Sequence, residues 1–366
     1  MKRRIAVVTA TRAEYGLLRR TVEALRAEAC FDVKLVVTGT HLSPDFGETW
    51  KQIAEDGVRI DCKVDYLSKD RSPAGIAREA GRCAELFADT FAAMKPDLVL
   101  VLGDRYELLP ICSSALVLGI PVAHIAGGER TEGAIDDAVR NAVTMLSTVH
   151  FPNSPEAAEA IIQMRGSAQN VFEVGEPGAE NILKATLPSR EELASRLGLD
   201  AAKPWVLATL HPETRESEAY NLDMARAMLE VLGQLKGHEV VLTKANADPC
   251  GEKMNALYTT AKGLHMYASL GQNGYLGLMK EAVFVIGNSS SGVIEAPLFG
   301  TPVVNIGHRQ TGRRMSPCVI PCEATATDIQ RAVNAIHGRF QPDILPGTGH
   351  TSELIVKYLK AYFHES

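Results

Sequence analysis

Acidic and basic side chains follow two apolar runs that the sequence predicts to be adjacent strands. Asp104 and Arg105 come directly after residues 98–102, and a longer charged segment at 126–140 follows residues 121–125. Crowded carboxylates have shifted pKa values and supply general acids and bases for proton transfer. A solvated loop would also explain the charges, but glycines flank them beside buried strands, which favours an active site. The candidate acid–base and substrate residues are Asp104, Arg105, Glu129, Asp136, Asp137 and Arg140.

A serine-rich segment at 287–295 follows a third apolar run and precedes a helical pattern. Small residues there leave free backbone N–H groups and hydroxyls at the positive end of a helix, which suits a diphosphate. Glu295 follows about one turn later and can accept hydrogen bonds from ribose hydroxyls. The alternative is that the serines only cap the helix. The Walker A and Gly-x-Gly-x-x-Gly patterns are absent, which argues against an ATPase or a dehydrogenase. The candidate diphosphate ligands are Ser289, Ser290 and Gly292.

Other candidate ligands also lie where predicted strands end. Arg12 follows the first strand, and a surface ion pair is its alternative role. A histidine at a strand end suits a phosphate or a sugar, although a lone histidine is more often structural. An arginine-rich turn after 302–306 can close over a diphosphate, with a solvated turn as the alternative. These candidates are His41, His211, Asn246, Arg309, Arg313 and Arg314.

These strand ends belong to two successive series of short apolar runs that alternate with helical segments. This alternation is typical of parallel sheets covered by helices. The first series predicts strands at 5–9, 33–38, 98–102, 121–125, 149–151 and 171–174, and the second at 205–210, 239–243, 283–287 and 302–306. The polar stretch between 183 and 204 is interpreted as an interdomain linker. The fold class expected is α/β, with two Rossmann-like domains facing across a cleft, because ligands bind beyond the carboxyl edges of such sheets. The predicted domains are 1–186, which carries the sugar and catalytic loops, and 187–366, which binds the nucleotide; a terminal helix at about 351–366 can pack back on the first.

Composition excludes several other classes of protein. The chain has 366 residues, 46% of them hydrophobic, and a formal net charge of −6 without a basic stripe, so no nucleic-acid partner is expected. Seven scattered cysteines do not suggest a disulfide framework, and the close pair Cys318 and Cys322 lacks the further ligands of a zinc site. No metal or cofactor is therefore expected. With neither a signal peptide nor a spanning segment in the sequence, a cytoplasmic protein without a membrane partner is expected.

In combination, these motifs resemble the UDP-N-acetylglucosamine 2-epimerase family, and within it the hydrolysing branch, which releases N-acetylmannosamine for sialic-acid-type sugars. The resemblance runs through nearly the whole chain, in the motifs at 11–16, 38–42, 103–105, 124–129, 135–137, 211–214, 287–292 and 309–313. It implies a glycosyltransferase-B-like fold and, as an expectation, a homodimer or homotetramer. It also implies that Arg12, His211, Asn246, Ser289, Ser290, Glu295 and Arg309 hold the nucleotide.

The chemistry implied by the resemblance has three steps. The C2 proton of the sugar is removed, UDP leaves by anti elimination to give a 2-acetamidoglycal, and water then adds with inversion at C2. The resemblance assigns catalysis to Asp104, Asp136 and Arg140, with Asp137 and His41 near the sugar. No nicotinamide is needed, because only protons move at the inverted carbon.

Two residues depart from the family pattern. Many relatives carry glutamate or histidine where Ala126 stands, and Glu129 is the nearest carboxylate that could replace it. Asn141 stands where a histidine commonly follows the arginine. These changes leave open a UDP- or GDP-linked 2,4-diacetamido-trideoxyhexose as substrate. A glycosyltransferase and a non-catalytic nucleotide-sugar-binding protein remain alternatives of other classes.

Overall fold

The computed structural model describes residues 2–68, 70, 72–129, 135–213, 215–245, 250–311, 313–344 and 347–365. The chain divides into two compact units, Met1–Asn181 with Leu345–Ser366, and Ile182–Ile344. This division lies slightly before the boundary predicted at 186. It assigns the C-terminal helix to the first unit, the arrangement that the sequence allowed for a helix at about 351–366.

The first unit contains a six-stranded parallel sheet in the order β3-β2-β1-β4-β5-β6. Its strands are β1 Arg3–Thr9, β2 Phe31–Thr38, β3 Cys62–Val64, β4 Leu98–Leu102, β5 Val122–Ile125 and β6 Val149–Phe151. Its helices are α1 Arg12–Ala27, α2 Trp50–Glu55, α3 Pro73–Met94, α4 Leu108–Val117, α5 Ile135–Leu146, α6 Pro155–Arg165, α7 Pro177–Leu183, which reaches the boundary, and the C-terminal α14 Thr351–Glu365.

The second unit contains another six-stranded parallel sheet, in the order β12-β11-β10-β7-β8-β9. Its strands are β7 Trp205–Thr209, β8 Glu239–Thr243, β9 Leu264–Tyr267, β10 Phe284–Gly287, β11 Val303–Ile306 and β12 Val319–Cys322. Its helices are α8 Arg190–Leu197, α9 Glu218–Gln234, α10 Gly251–Tyr258, α11 Gln272–Glu281, α12 Ser290–Ile294 and α13 Ala326–Asn334.

Strand register brings the candidate residues of each unit to one sheet edge. In the first unit Ile5 of β1 pairs with Val33 of β2 and Leu98 of β4, and Leu102 of β4 pairs with Ile125 of β5. The carboxyl ends of these strands therefore lie side by side along one edge of the sheet. In the second unit Gly287 of β10 pairs in the same way with Thr209 of β7.

The apolar central strands were predicted correctly to within two residues at each end. The predicted strand at 171–174 is wrong, because only Val171 forms a bridge, to His150. Three edge strands, β3, β9 and β12, were not predicted. They are short and only partly buried, and Pro321 interrupts the pattern of β12, so they lack the continuous apolar run of a central strand.

The predicted linker at 183–204 is also wrong, because it contains part of the second unit's core. Ser189 caps α8 in a reciprocal capping box with Glu192. Leu193 and Leu197 of α8 are buried against Trp205 of β7. The polar residues of this stretch cap and cover a helix rather than form a free connection.

Within the described residues, no group of three or more His, Cys, Asp or Glu side chains is arranged to hold a metal ion. Among the same residues, no helix has both the length and the apolar character needed to span a membrane.

Candidate active site

An ion pair between Asp104 and Arg140 organises the carboxyl edge of the first unit. Gly103, with φ of +89°, turns the chain after β4, and Asp104 follows it. Arg140 of α5 donates from Nη2 to Asp104 Oδ2 and from Nη1 to the carbonyl oxygen of Glu129 at 2.8 Å. The Arg140 side chain is 5% exposed and that of Asp104 is 30% exposed. A buried cation thus holds two edge loops together and leaves one carboxylate reachable from solvent.

The start of α5 adds two more acidic groups to this edge. Arg140 Nη1 lies 3.8 Å from Asp137 Oδ1, and Asn141 Nδ2 donates to Asp137 Oδ2 at 3.3 Å. Asp136 is partly exposed in the first turn of the helix. Residues 130–134 of the predicted charged loop lie outside the described residues. The structure therefore brings Asp104, Asp137, Arg140 and the backbone carbonyl of Glu129 together, and it places Asp136 next to Asp137 on α5.

Glu129 also belongs to a second polar group that sequence reasoning missed. Asn153, two residues after β6, donates from Nδ2 to Glu129 Oε1 at 2.9 Å and to Glu176 Oε2 at 2.5 Å. Burial, and next the nearby charge of Glu129, raise the pKa of Glu176 to about 7. The motif Gly175-Glu176-Pro177 follows an apolar run, as Asp104 and Glu129 do, and that position could have identified it.

Arg105 and Arg12, two of the predicted ligands, differ in how they are held. Arg105 Nε donates to Glu107 Oε1 at 2.6 Å, and the side chain of Glu107 is only 1% exposed. The Nε–H group of Arg105 is therefore already hydrogen-bonded to a buried carboxylate of the same unit. Arg12 is exposed at the first position of α1, which begins directly after the carboxyl end of β1.

His41 is fully buried, and both of its ring nitrogens have hydroxyl partners. Nε2 lies 3.1 Å from Thr9 Oγ1, and Nδ1 lies 2.8 Å from Thr49 Oγ1. Burial lowers the pKa of His41 to about 4, so the ring is neutral at pH 7. These contacts suit a residue that orders the loop after β2.

In the second unit, Asn288 ties the serine loop to the end of β7. Asn288 Oδ1 accepts from His211 N at 2.7 Å, and Asn288 Nδ2 donates to the His211 carbonyl at 2.8 Å. Gly287 makes the close approach possible: its φ is +137°, and a Cβ there would lie 1.9 Å from the carbonyl oxygen of Thr209. The loop therefore carries Ser289 and Ser290 in a place determined by the backbone of His211.

Some serines of this loop are hydrogen-bonded within the protein and have a structural role, whereas another is partly exposed and available to a ligand. Ser289 caps α12, and its Oγ lies 2.8 Å from Ser291 Oγ, which also contacts Tyr275 OH at 2.9 Å. Ser290 is partly exposed and Gly292 is buried in α12. Burial raises the pKa of Glu295. Helix capping, the alternative role for these serines, therefore accounts for Ser289, and the Ser291 hydroxyl is held by Ser289 and Tyr275.

Glu213 braces the arginine-rich turn, a role that sequence reasoning did not assign. Its Oε1 accepts from the backbone N–H groups of His308 at 2.8 Å and Arg309 at 3.2 Å. Arg309 Nη1 in turn donates to the Asn288 carbonyl at 3.1 Å, and Arg309 is an exposed residue. Asn288 thus joins His211 and Arg309.

The remaining candidates of the second unit are distributed differently. Arg313 is exposed, and Arg314 forms an ion pair with Asp343 at 3.1 Å, so it is not the unpartnered residue of a solvated turn that was considered as the alternative. Asn246, predicted to bind the nucleotide, lies outside the described residues, as do Thr214 and Gly312 of the predicted motifs.

Comparisons with known proteins give a consistent result. Residues 23–360 match the family model described as UDP-N-acetylglucosamine 2-epimerase. The chain is 35% identical to the GDP/UDP-N,N'-diacetylbacillosamine 2-epimerase (hydrolyzing) of Campylobacter jejuni, over 89% of this chain and 86% of that protein. It is 30% identical to the UDP-N,N'-diacetylbacillosamine 2-epimerase (hydrolyzing) of Legionella pneumophila, over 98% of this chain and 96% of that protein.

The fold is also found among solved structures. The UDP-GlcNAc 2-epimerase from Neisseria meningitidis bound to UDP-GlcNAc superposes with a TM-score of 0.78 at 18% identity, over 98% of this chain and 100% of that one. At this identity the likeness shows the fold, two Rossmann-like α/β units of the glycosyltransferase-B-like type.

Proposed function

Because this chain belongs to the UDP-N-acetylglucosamine 2-epimerase family, we propose that it is a hydrolysing 2-epimerase of a nucleotide-linked 2-acetamido sugar. The observation that carries the proposal is the buried Arg140, which gathers Asp104, Asp137 and the Glu129 loop at one sheet edge. Such a cluster suits a reaction whose steps are proton transfers at carbon.

The reaction balances without an oxidant or a reductant. The C2–H bond breaks as a base takes the proton, the C1–O bond breaks with the electron pair leaving on the nucleoside diphosphate, and a 2-acetamidoglycal remains. Water then supplies a hydroxyl at C1 and gives its second proton to a carboxylate, while an acid supplies a proton at C2 on the opposite face. We assign this acid–base work to Asp104, Asp136 and Glu129, with Arg140 orienting Asp104 through the buried ion pair.

The second unit's loops supply groups that suit the departing diphosphate. The nucleotide ligands in this proposal are His211, Asn246, Ser289, Ser290, Gly292, Glu295, Arg309 and Arg313, with Arg12 added from the first unit, and the sugar contacts are Arg105 and Asp137. His41 was also expected near the sugar, but it is fully buried with both ring nitrogens bonded to hydroxyls, so it is assigned to the order of the loop after β2 instead. Arg309 supports this assignment best, because its guanidinium is anchored to Asn288 while the residue stays exposed. Positive charge fixed before the reaction stabilises the charge that develops as the diphosphate leaves.

For the sugar, we place a UDP- or GDP-linked 2,4-diacetamido-trideoxyhexose before UDP-N-acetylglucosamine, which the motifs had put first. Both hydrolysing relatives reported above are named for N,N'-diacetylbacillosamine, at 35% and 30% identity. UDP-N-acetylglucosamine remains the second candidate, since a 27% identical relative from Neisseria meningitidis is named for it.

A panel of UDP- and GDP-linked 2-acetamido and 2,4-diacetamido sugars, followed by ¹H and ³¹P NMR in deuterium oxide, tests the proposal. We expect a free nucleoside diphosphate and a free, C2-inverted sugar that carries deuterium at C2, without any acceptor. A C2-inverted sugar still bonded to the nucleotide would indicate a non-hydrolysing epimerase. Release of the nucleotide only when an acceptor is added would indicate a glycosyltransferase, and binding without turnover or deuterium exchange a non-catalytic protein.

A further inference from the structure

A hydrogen-bonded row of side chains extends the acidic edge of the first unit beyond the residues assigned above. Glu129 follows β5, Asn153 follows β6, and Glu176 follows the segment that bridges to β6 at His150. Successive positions along the sheet edge thus carry a carboxylate, an amide and a second carboxylate.

The side-chain amide of Asn153 connects the two carboxylates of this row. Its Nδ2 donates to Glu129 Oε1 at 2.9 Å and to Glu176 Oε2 at 2.5 Å, which uses both N–H groups of the amide. Asn153 is buried, and its Oδ1 has no hydrogen-bond partner among the described residues. A buried amide whose acceptor oxygen has no hydrogen-bond partner costs free energy. That cost indicates that holding the two carboxylates together has a role in the protein.

The other Glu176 oxygen has a fixed partner. Oε1 accepts from the backbone N–H of Gly178 at 3.2 Å, in the first turn of α7. The carboxylate is therefore held on both sides, by α7 and by Asn153. Among the described residues, Glu129 is the charged group that acts on Glu176, and Arg140 reaches the row through the carbonyl of Glu129.

The chemistry proposed above makes a particular demand on this edge. One proton leaves C2 in the first half of the reaction, and one returns to C2 in the second half. A group that takes part in both halves must be populated in its charged and neutral forms at the working pH. Two neighbouring carboxylates meet this demand, since they do not both ionise as readily as isolated ones.

We propose that Glu176 is a positioning residue for the reaction: acting through Asn153, it fixes the Glu129 carboxylate, and the protonation state of Glu176 sets the charge beside it. This inference rests on the proposed function and adds a residue to its acid–base machinery. The shift of the Glu176 pKa to about 7, caused first by burial and then by Glu129, agrees with this geometry.

The test is the pH dependence of kcat in Glu176→Gln, measured from pH 5 to 9 with the sugar that the wild type turns over best. Glutamine can still accept from Asn153 through its single oxygen, but its Nε2 cannot accept from Gly178 N–H, so the variant loses the second charge and the bond to α7 while the bond to Asn153 remains. We expect the wild-type inflection near neutral pH to disappear, with kcat lower by roughly tenfold and KM little changed, because a positioned acid–base group is affected rather than binding. Glu156→Gln, which removes an exposed carboxylate three residues after Asn153, is the matched control and should keep the wild-type profile.

Asn153→Ala is a second test variant, and it leaves both carboxylates in place. Without the amide, the charged forms lose their hydrogen bonds, so the inflection should move to higher pH instead of disappearing. Circular dichroism confirms that each variant is folded. If Glu176→Gln is not folded, the Asn153→Ala profile decides alone.

A wild-type inflection that persists unchanged in Glu176→Gln, or an unshifted one in Asn153→Ala, would overturn the inference and leave the proposed function intact. Absence of wild-type turnover on every sugar of the panel would instead count against the proposed function, and against this inference with it.

Discussion

Arg140 is the residue on which the first unit's candidate site is built. Its guanidinium contacts Asp104, Asp137 and the Glu129 carbonyl, while almost none of its side chain reaches solvent. A buried guanidinium without its carboxylate would be strongly destabilising. Substitutions at this edge must therefore keep the shape and hydrogen bonding of the partner.

Asp104→Asn meets that condition, since the amide oxygen still accepts from Arg140. We expect kcat to fall by about 10²–10⁴-fold, the usual loss for a general acid or base. Nucleotide binding should be nearly unchanged, because the proposed ligands in the second unit are not touched. Turnover by NMR and UDP affinity by calorimetry check the two halves of this expectation. Turnover at the wild-type rate would remove Asp104 from the mechanism.

Gly287→Ala tests the backbone that carries the serine loop. The added Cβ would lie 1.9 Å from the Thr209 carbonyl oxygen at a φ of +137°, so β7 and β10 must separate. We expect a loss of about 3 kcal/mol in the free energy of unfolding, measured by urea denaturation. Gly233→Ala, in α9 with open space around its Cβ, is the control and should gain about 0.5–1 kcal/mol. Equal effects at the two positions would contradict this account.

At the scale of elements, the start of α1 shows how a capping group also becomes a titrating one. Thr11 and Glu14 form a capping box, and Glu14 Oε2 accepts from the N–H groups of Ala10 at 2.8 Å and Thr11 at 2.9 Å. The second Glu14 oxygen is buried without a partner among the described residues. Burial, followed by the charge of Glu107, raises the pKa of Glu14 from 4.5 to about 7.

This shift predicts a pH dependence of stability. Between pH 4.5 and 7 the folded protein holds a proton on Glu14 that the unfolded chain has lost, so the Glu14 contribution falls as pH rises through this window. Glu14→Gln cannot ionise, and we expect it to match the wild type near pH 4 and to exceed it by about 3 kcal/mol at pH 8. Urea denaturation at both pH values measures the difference. Glu23→Gln, exposed on the same helix, should show no such divergence.

At the scale of the whole molecule, the chain returns to its first unit with its last helix. Ile355 and Leu359 of α14 are fully buried in the core formed by α1, β1 and β2. Tyr358 stacks on Phe172 with ring centroids 4.4 Å apart, and Ser352 donates to Glu180 at 2.7 Å. The first unit is therefore completed only when the end of the chain is in place.

Leu359→Ala should consequently weaken the first unit. Deleting a fully buried leucine side chain costs about 3 kcal/mol, and hydrogen exchange should rise in peptides from β1 and β2 but not in those from β7 and β10. Lys357→Ala, exposed on the same helix, should change stability by less than about 0.5 kcal/mol. Unchanged exchange in β1 would show that α14 is dispensable to that core.

The amino-acid sequence alone is enough to predict the central strands, the α/β class and the types of residue at the strand ends. Those features are local: a buried parallel strand needs a continuous apolar run, and the residues that follow it are read directly from the chain. The family could also be identified from the order of the motifs, and the match over residues 23–360 confirms it.

Which of these residues come into contact depends on the three-dimensional fold. Arg140 lies far along the chain from Asp104, and Glu176 reaches Glu129 only through Asn153. The edge strands and α8 also depend on the fold. Their polar residues predict a loop or a linker from the sequence, and only the packing of their apolar side against a core makes them a strand or a helix. Burial and hydrogen-bond partners depend on what packs nearby in space, and pKa values follow from both, so spacing in the sequence could not supply them.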